Sequence, residues 1–100
     1  MKVEIPFTNF MRARILAGKK FATSRNKRKG EEGDWFVIEG KKFILINVFK
    51  MKLCEIAKLY HRVEGFDTEE EFIAYWKDLH RRSGFEREKF VWFHRFGEKN

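Results

Sequence analysis

The sequence predicts a single α+β domain, a small mixed β-barrel of about five or six strands with flanking helices across its openings. Three observations carry this. One hundred residues is the length of one domain. Strand and helix patterns follow one another irregularly, as strand, helix, extended segment, hairpin, two helices and strand. The last of these, residues 89–96 (KFVWFHRF), carries aromatics on both faces and must be paired inside a sheet rather than left at an edge.

Each element has its own signal. Residues 2–6 alternate, with Val3 and Ile5 on one face, and predict a short first strand. Thr8 is placed to cap a helix in which Phe10, Met11, Arg14 and Ala17 fall near helical spacing, widened by Ala13 and Leu16. Gly18 ends it, because glycine takes the left-handed conformation just past a helix terminus without a Cβ clash. Residues 19–25 predict an extended segment, since Phe21 and Thr23 suit a strand. NKRKGEEG, residues 26–33, reads as an exposed loop.

Residues 34–39 (DWFVIE) and a longer strand over 43–51 predict a hairpin about a turn at Gly40 and Lys41. Both faces of the longer strand are apolar, so it is expected to be covered on both sides. Leu53, Ile56, Ala57 and Tyr60 fall at helical spacing. Thr68 and Glu71 form a capping-box pattern that opens a second helix, with Phe72, Ile73, Trp76 and Leu79 on one side and an end near Gly84.

Composition bounds the function. Apolar residues make up 43% and aromatics 17%, the balance of a folded globular chain. No apolar run approaches the roughly 18 residues needed to span a bilayer. The opening MKVEIPF predicts no secretory leader, and Cys54 is alone, so no internal disulfide is possible. A cytoplasmic protein without a membrane partner is expected. The absence of glutamine and the 37% charged residues point to a thermophilic source.

The net charge of +7 is concentrated in one block. Between Ile5 and Gly30 there is no acid, and Arg12, Arg14, Lys19, Lys20, Arg25, Lys27, Arg28 and Lys29 give +8. A block of one sign creates a directed field, the footprint of a polyanion site. RNA or a nucleotide from it is therefore the expected partner. Lys19, Lys20, Arg25, Lys27, Arg28 and Lys29 are the expected contacts, in a basic cleft around residues 19–29. Arg25 offers a planar fork of paired donors. His61, His80 and His94 are far apart in sequence and Cys54 has no Cys-x-x-Cys partner, so no metal site and no cofactor are expected.

Two segments, ILAGKKFATSR (residues 15–25) with GDWF (33–36) and VEGFDTEEEFIAYW (63–76), resemble the ASCH domain, a small β-barrel family related to the PUA fold. The resemblance implies a PUA-like barrel across nearly the whole chain. Within that family the first segment is similar to the N4-acetylcytidine amidohydrolases, which hydrolyse the acetyl amide of acetylated cytidine with a Lys, a Thr nucleophile and a Glu. The match places these roles on Lys20 as base, Thr23 as nucleophile and Glu64 as acid, with Arg25 as orienter. The family also contains members thought to bind RNA and others reported to cut it, so binding, amide hydrolysis and ribonuclease activity are all implied. Phe21, Ser24 and Asn26 depart from the enzyme pattern, and Phe21 is expected to narrow a pocket. Simple alternation along a strand puts Thr23 and Arg25 on one face and Lys20 on the other.

Overall fold

A computed structural model describes residues 1–100. Its elements are α1 (Asn9–Leu16), β1 (Ala22–Arg25), β2 (Trp35–Ile38), β3 (Lys41–Lys52), α2 (Leu53–Tyr60), α3 (Glu69–Leu79) and β4 (Phe90–Glu98). One antiparallel sheet runs in the order β1-β4-β3-β2 and curls into a half-barrel. The C-terminal strand lies between β1 and β3, as its two apolar faces require.

There are four strands, not five or six. The difference lies at the N-terminus. Residues 2–6 form no strand, only a single parallel bridge from Lys2 to Trp35. Val3 still donates its N–H to the Trp35 carbonyl at 2.8 Å, and Ile5 is buried. Alternation thus foretold which side chains face inward, but not a ladder. β2 is only four residues long, and Pro6 has no N–H to continue the pairing.

The long strand is also not covered on both sides. A register shift between Leu45 and Asn47 inserts Ile46 as an extra residue opposite β4. After the shift the inward parity changes, so that Phe43, Leu45 and Val48 are buried while Ile46, Asn47 and Phe49 are exposed. The hairpin turn falls on Glu39 and Gly40, with φ of 48° and 81°, and Lys41 already pairs with Ile38. Two successive positive φ values are those of a type I′ turn, whose twist matches the strands it joins.

Two apolar clusters lie on the two sides of the sheet. Val91 and Phe93 of β4 join Leu53, Ile56, Phe66, Phe72 and Trp76 under α2 and α3. Phe96 joins Ile5, Phe36, Ile38, Phe43 and Leu45 inside the curl. Helix α1 serves both, with Met11 in the first and Ile15 in the second. Its N-cap is Thr8, whose hydroxyl accepts from the Met11 N–H at 3.3 Å, and Gly18 follows its end with φ 73°. Thr68 caps α3 by accepting from the Glu71 N–H at 3.2 Å. That helix ends at Leu79, a turn earlier than the glycine signal at Gly84 suggested.

Candidate functional site

β1 is an edge strand, and a cavity of about 230 Å³ opens beside it. Lys20, Thr23, Ser24 and Arg25 line it from the β1 segment, and Glu64 lines it from the turn after α2. Pro6, Phe7 and Thr8 form one wall. Phe66, from the segment before α3, and Phe72, Tyr75, Trp76 and His80, along α3 and its C-cap, form the other.

The floor is a buried polar cluster. Lys20 is 2% exposed and Glu64 3%. The Lys20 Nζ donates to the Glu64 backbone carbonyl at 2.9 Å and lies 3.3 Å from Glu64 Oε1. Ser24 Oγ donates to Glu64 Oε2 at 2.5 Å. Both carboxylate oxygens are therefore held. Gly65 makes this closeness possible: its φ is +102°, and a Cβ there would lie 3.1 Å from Lys20 Cβ. Burial pushes Lys20 below its ordinary range, against the pull of Glu64, and Arg25 lowers it further.

A second cluster is centred on Arg25. Its Nε donates to Thr23 Oγ1 at 3.0 Å and its Nη2 to the Pro6 carbonyl at 2.6 Å, and its guanidinium lies 5.0 Å from the centre of the Phe7 ring. Behind Thr23 stands His94, fully buried. The Lys29 N–H donates to His94 Nε2 at 2.9 Å, so Nδ1 carries the proton of the neutral ring and donates to the Thr23 carbonyl at 3.2 Å. Burial lowers the His94 pKa, partly offset by the bond to Thr23.

The alternation difficulty has a geometric answer. The register places Ser24 opposite Phe93, and Thr23 and Arg25 opposite His94 and Trp92. Ser24 and Lys20 thus approach Glu64 on one side of the strand, with Thr23 and Arg25 on the other. The cavity wraps the free edge of β1 and takes in both sets. Lys20 precedes the strand, where its N–H still bonds back to the Arg14 carbonyl at 3.2 Å. No hydrogen bond joins Lys20 to Thr23.

The remaining expected residues lie elsewhere. Lys19 lines a separate depression beyond Lys20. Lys27, Arg28 and Lys29 sit on the loop before β2 and do not line the cavity. Arg28 bonds the Gly30 carbonyl and Glu32 and lies 5.1 Å from the centre of the Trp92 ring. A single basic cleft spanning residues 19–29 is therefore not formed; Lys20 and Arg25 alone of that set line the cavity. Phe21 does not narrow it, because the ring points away and is 44% exposed. Sequence reasoning counted Ser24 among the clustered donors of residues 19–25 but gave it no role. The signal was present, since alternation puts Ser24 on the Lys20 side. It missed Tyr75, whose hydroxyl lies 2.6 Å from Thr8 Oγ1 across the cavity mouth; nothing in the sequence ties those two positions.

No family model matches the chain, and no curated protein is similar to it. Among solved structures, the chain superposes on an ASCH domain from Lactobacillus crispatus JV V101 with a TM-score of 0.64 and 15% identity, covering 97% of this chain and 77% of that one. The fold is that of an ASCH domain. The same ASCH-like fold relates it to protein EF3133 from Enterococcus faecalis V583, at TM-score 0.63 and 14% identity, over 91% of this chain and 68% of that one. The hypothetical protein PH0355 superposes at TM-score 0.70 and 20% identity, over 99% of this chain and 100% of that one. The ASCH fold implied by the two sequence segments is thus the fold observed, as a four-stranded half-barrel rather than a fuller barrel.

Proposed function

We propose that the cavity binds RNA, or a nucleotide from it, by seating one base between the aromatic walls. The observation that carries this is the convergence of Lys20, Ser24, Glu64, Thr23 and Arg25 on one apolar-walled cavity. Binding sites for small molecules are mostly apolar, with a few convergent polar groups that fix orientation. Here the rings of Phe7, Tyr75 and Trp76 offer faces or edges to a planar base. Arg25 spends Nε and Nη2 on the protein and keeps Nη1 for a ligand carbonyl or phosphate. Lys20 donates twice to Glu64 and keeps a third valence. The test is calorimetric titration with cytidine and with short single-stranded RNA. Saturable binding that Arg25→Ala weakens at least tenfold is expected. Heat of dilution alone, for every nucleoside and RNA at millimolar concentration, would discard the reading.

Removal of the acetyl group from N4-acetylcytidine is the second reading, and one observation favours it. Burial drives Lys20 toward the neutral amine that a general base must be. In that reading Thr23 Oγ attacks the acetyl carbonyl and passes its proton to Lys20. Lys20, paired with Glu64, passes that proton through the Glu64 carboxylate to the departing cytosine amine, and water then releases acetate from Thr23 and restores its hydroxyl proton. The Lys20 amine is turned to Glu64 rather than to Thr23, so this route needs a side-chain movement that binding does not. Incubation with N4-acetylcytidine, followed by mass, decides it. Cytidine formed by the parent protein and not by Thr23→Ala or Lys20→Ala is the expected result of the hydrolase reading. Turnover unchanged in Thr23→Ala would remove the nucleophile. Ribonuclease activity has no observation of its own in its favour.

A further inference from the structure

Beyond the Lys20 backbone lies a second depression, of about 240 Å³, which the cavity does not use. Arg14, Lys19 and Arg62 line it, with Asp67 as its one acid. None of the three cations forms a salt bridge within the protein. Three of the carbonyls at the end of α1, which would repel an anion, are already occupied. Ala13, Ile15 and Arg14 accept from the N–H groups of Ala17, Gly18, Lys19 and Lys20. The floor is the turn at Gly65, whose missing side chain leaves the surface concave.

Phe21 stands at the edge of this depression and is unexplained by the core. Its backbone is pinned on both sides, the N–H to the Val63 carbonyl at 2.6 Å and the carbonyl to the Phe96 N–H at 2.8 Å. The ring itself is 44% exposed. Arg14 rests 4.5 Å from the centre of the Phe10 ring but, like Lys19 and Arg62, pairs with no acid. A rigidly mounted, solvent-facing aromatic beside such cations is what a stacked base and its phosphate require. Phe66 lines both this depression and the cavity, so the two are adjacent.

We propose that the depression is a second nucleotide subsite. Arg14, Lys19 and Arg62 hold the phosphate that links the base in the cavity to its neighbour, and Phe21 stacks the neighbouring base. The ligand of the cavity is then a single-stranded oligonucleotide rather than a free nucleoside. This rests on the proposed binding role of the cavity. The chemistry that recognises the ligand is phosphate charge together with an exposed base face, and no base-specific contact is needed in the depression.

The test compares cytidine with a fluorescein-labelled pentacytidylate on the intact protein, over a series of salt concentrations, with Arg62→Ala and Phe21→Ala beside the parent. Both side chains are exposed, and unchanged circular dichroism verifies that the variants fold. The pentamer is expected to bind about tenfold or more tighter than cytidine at low salt, with log affinity falling linearly in log salt. Arg62→Ala is expected to lower that slope by about 0.7. Phe21→Ala is expected to weaken the pentamer roughly fivefold or more. Cytidine binding should be the same in both variants as in the parent. Equal affinity for cytidine and pentamer, or a pentamer indifferent to both substitutions, overturns the subsite and leaves the cavity reading standing. A pentamer weakened by Arg62→Ala and Phe21→Ala but not by Arg25→Ala, which lines the cavity alone, supports the subsite and removes the cavity reading. A poly-glutamate peptide of equal charge that binds as tightly as the pentamer overturns the assignment, because it has no base for Phe21 to stack.

Discussion

Glu64 is the residue on which the cavity floor depends. It receives Lys20 on one oxygen and Ser24 on the other, and its own carbonyl takes a second bond from Lys20. Removing one partner of a buried pair leaves the other charge without compensation, which costs about 3–5 kcal/mol. Glu64→Ala is expected to lose stability of that order in urea denaturation. Lys20→Met combined with Glu64→Leu removes both charges and should lose much less. Equal losses in the two would show that packing, not charge, governs the site. His94 sets a pH dependence. Its folded pKa lies below the ordinary value of about 6.5, so the unfolded chain binds the extra proton first. Stability is then complete above pH 6.5 and falls as pH drops through the window below it. Charging the ring also removes the acceptor for the Lys29 N–H. Urea midpoints at pH 7 and pH 5 should differ for the parent and differ less for His94→Gln; a flat parent profile would contradict this. At this scale Lys20, Thr23 and Glu64, singled out by the family resemblance, and Arg25, singled out by its planar fork, all line one cavity. Ser24 was given no role, because alternation shows only that it shares a side with Lys20 and not that it meets Glu64, 40 positions along the chain.

Elements position these side chains, and their termini were the most legible features. Thr8 and Thr68 both cap helices, and Gly18 follows the end of α1. Caps are written in three or four adjacent residues, so local sequence suffices to find them. Helix α3 carries Phe72, Tyr75 and Trp76 to the cavity wall. Thr68→Ala removes the hydroxyl that accepts from the Glu71 N–H and is expected to cost about 1 kcal/mol, read as a lowered urea midpoint. No change in the midpoint would mean that water replaces the cap without loss. The strands were less legible. The bulge at Ile46 reverses which residues of β3 face inward, and an apolar run with both parities filled conceals it. A bulge is chosen by the partner strand, here Arg95 and Phe96 of β4, which stand opposite Asn47 and Leu45 and lie far along the chain.

At the scale of the whole molecule, β4 holds the two halves of the sheet together. Without it, β1 has no strand partner and β2 and β3 are left as an isolated hairpin, which is marginal in water. Removing residues 90–100 is therefore expected to abolish the cooperative thermal transition seen by circular dichroism. A truncated chain that still melts sharply would contradict the central role of β4. The charge distribution also resolves only at this scale. The acid-free stretch between Ile5 and Gly30 folds onto three surfaces: the cavity with Lys20 and Arg25, the depression with Arg14 and Lys19, and the loop with Lys27, Arg28 and Lys29. No helix is long and apolar enough to cross a membrane.

By itself the sequence determined the α+β class, the helices and their caps, the central place of the last strand, and the residue types that meet in the cavity. The class, the helices and the place of the last strand follow from local periodicity, capping chemistry and the need to bury apolar faces; the cavity residues follow from the resemblance to the ASCH domain. Only the tertiary structure decided that the barrel stays half open, that Ser24 and Lys20 share one carboxylate, that Phe21 faces outward and that the basic block divides. Each of these depends on which distant segment lies opposite, and pairing across tens of residues leaves no mark in the pattern of either segment alone.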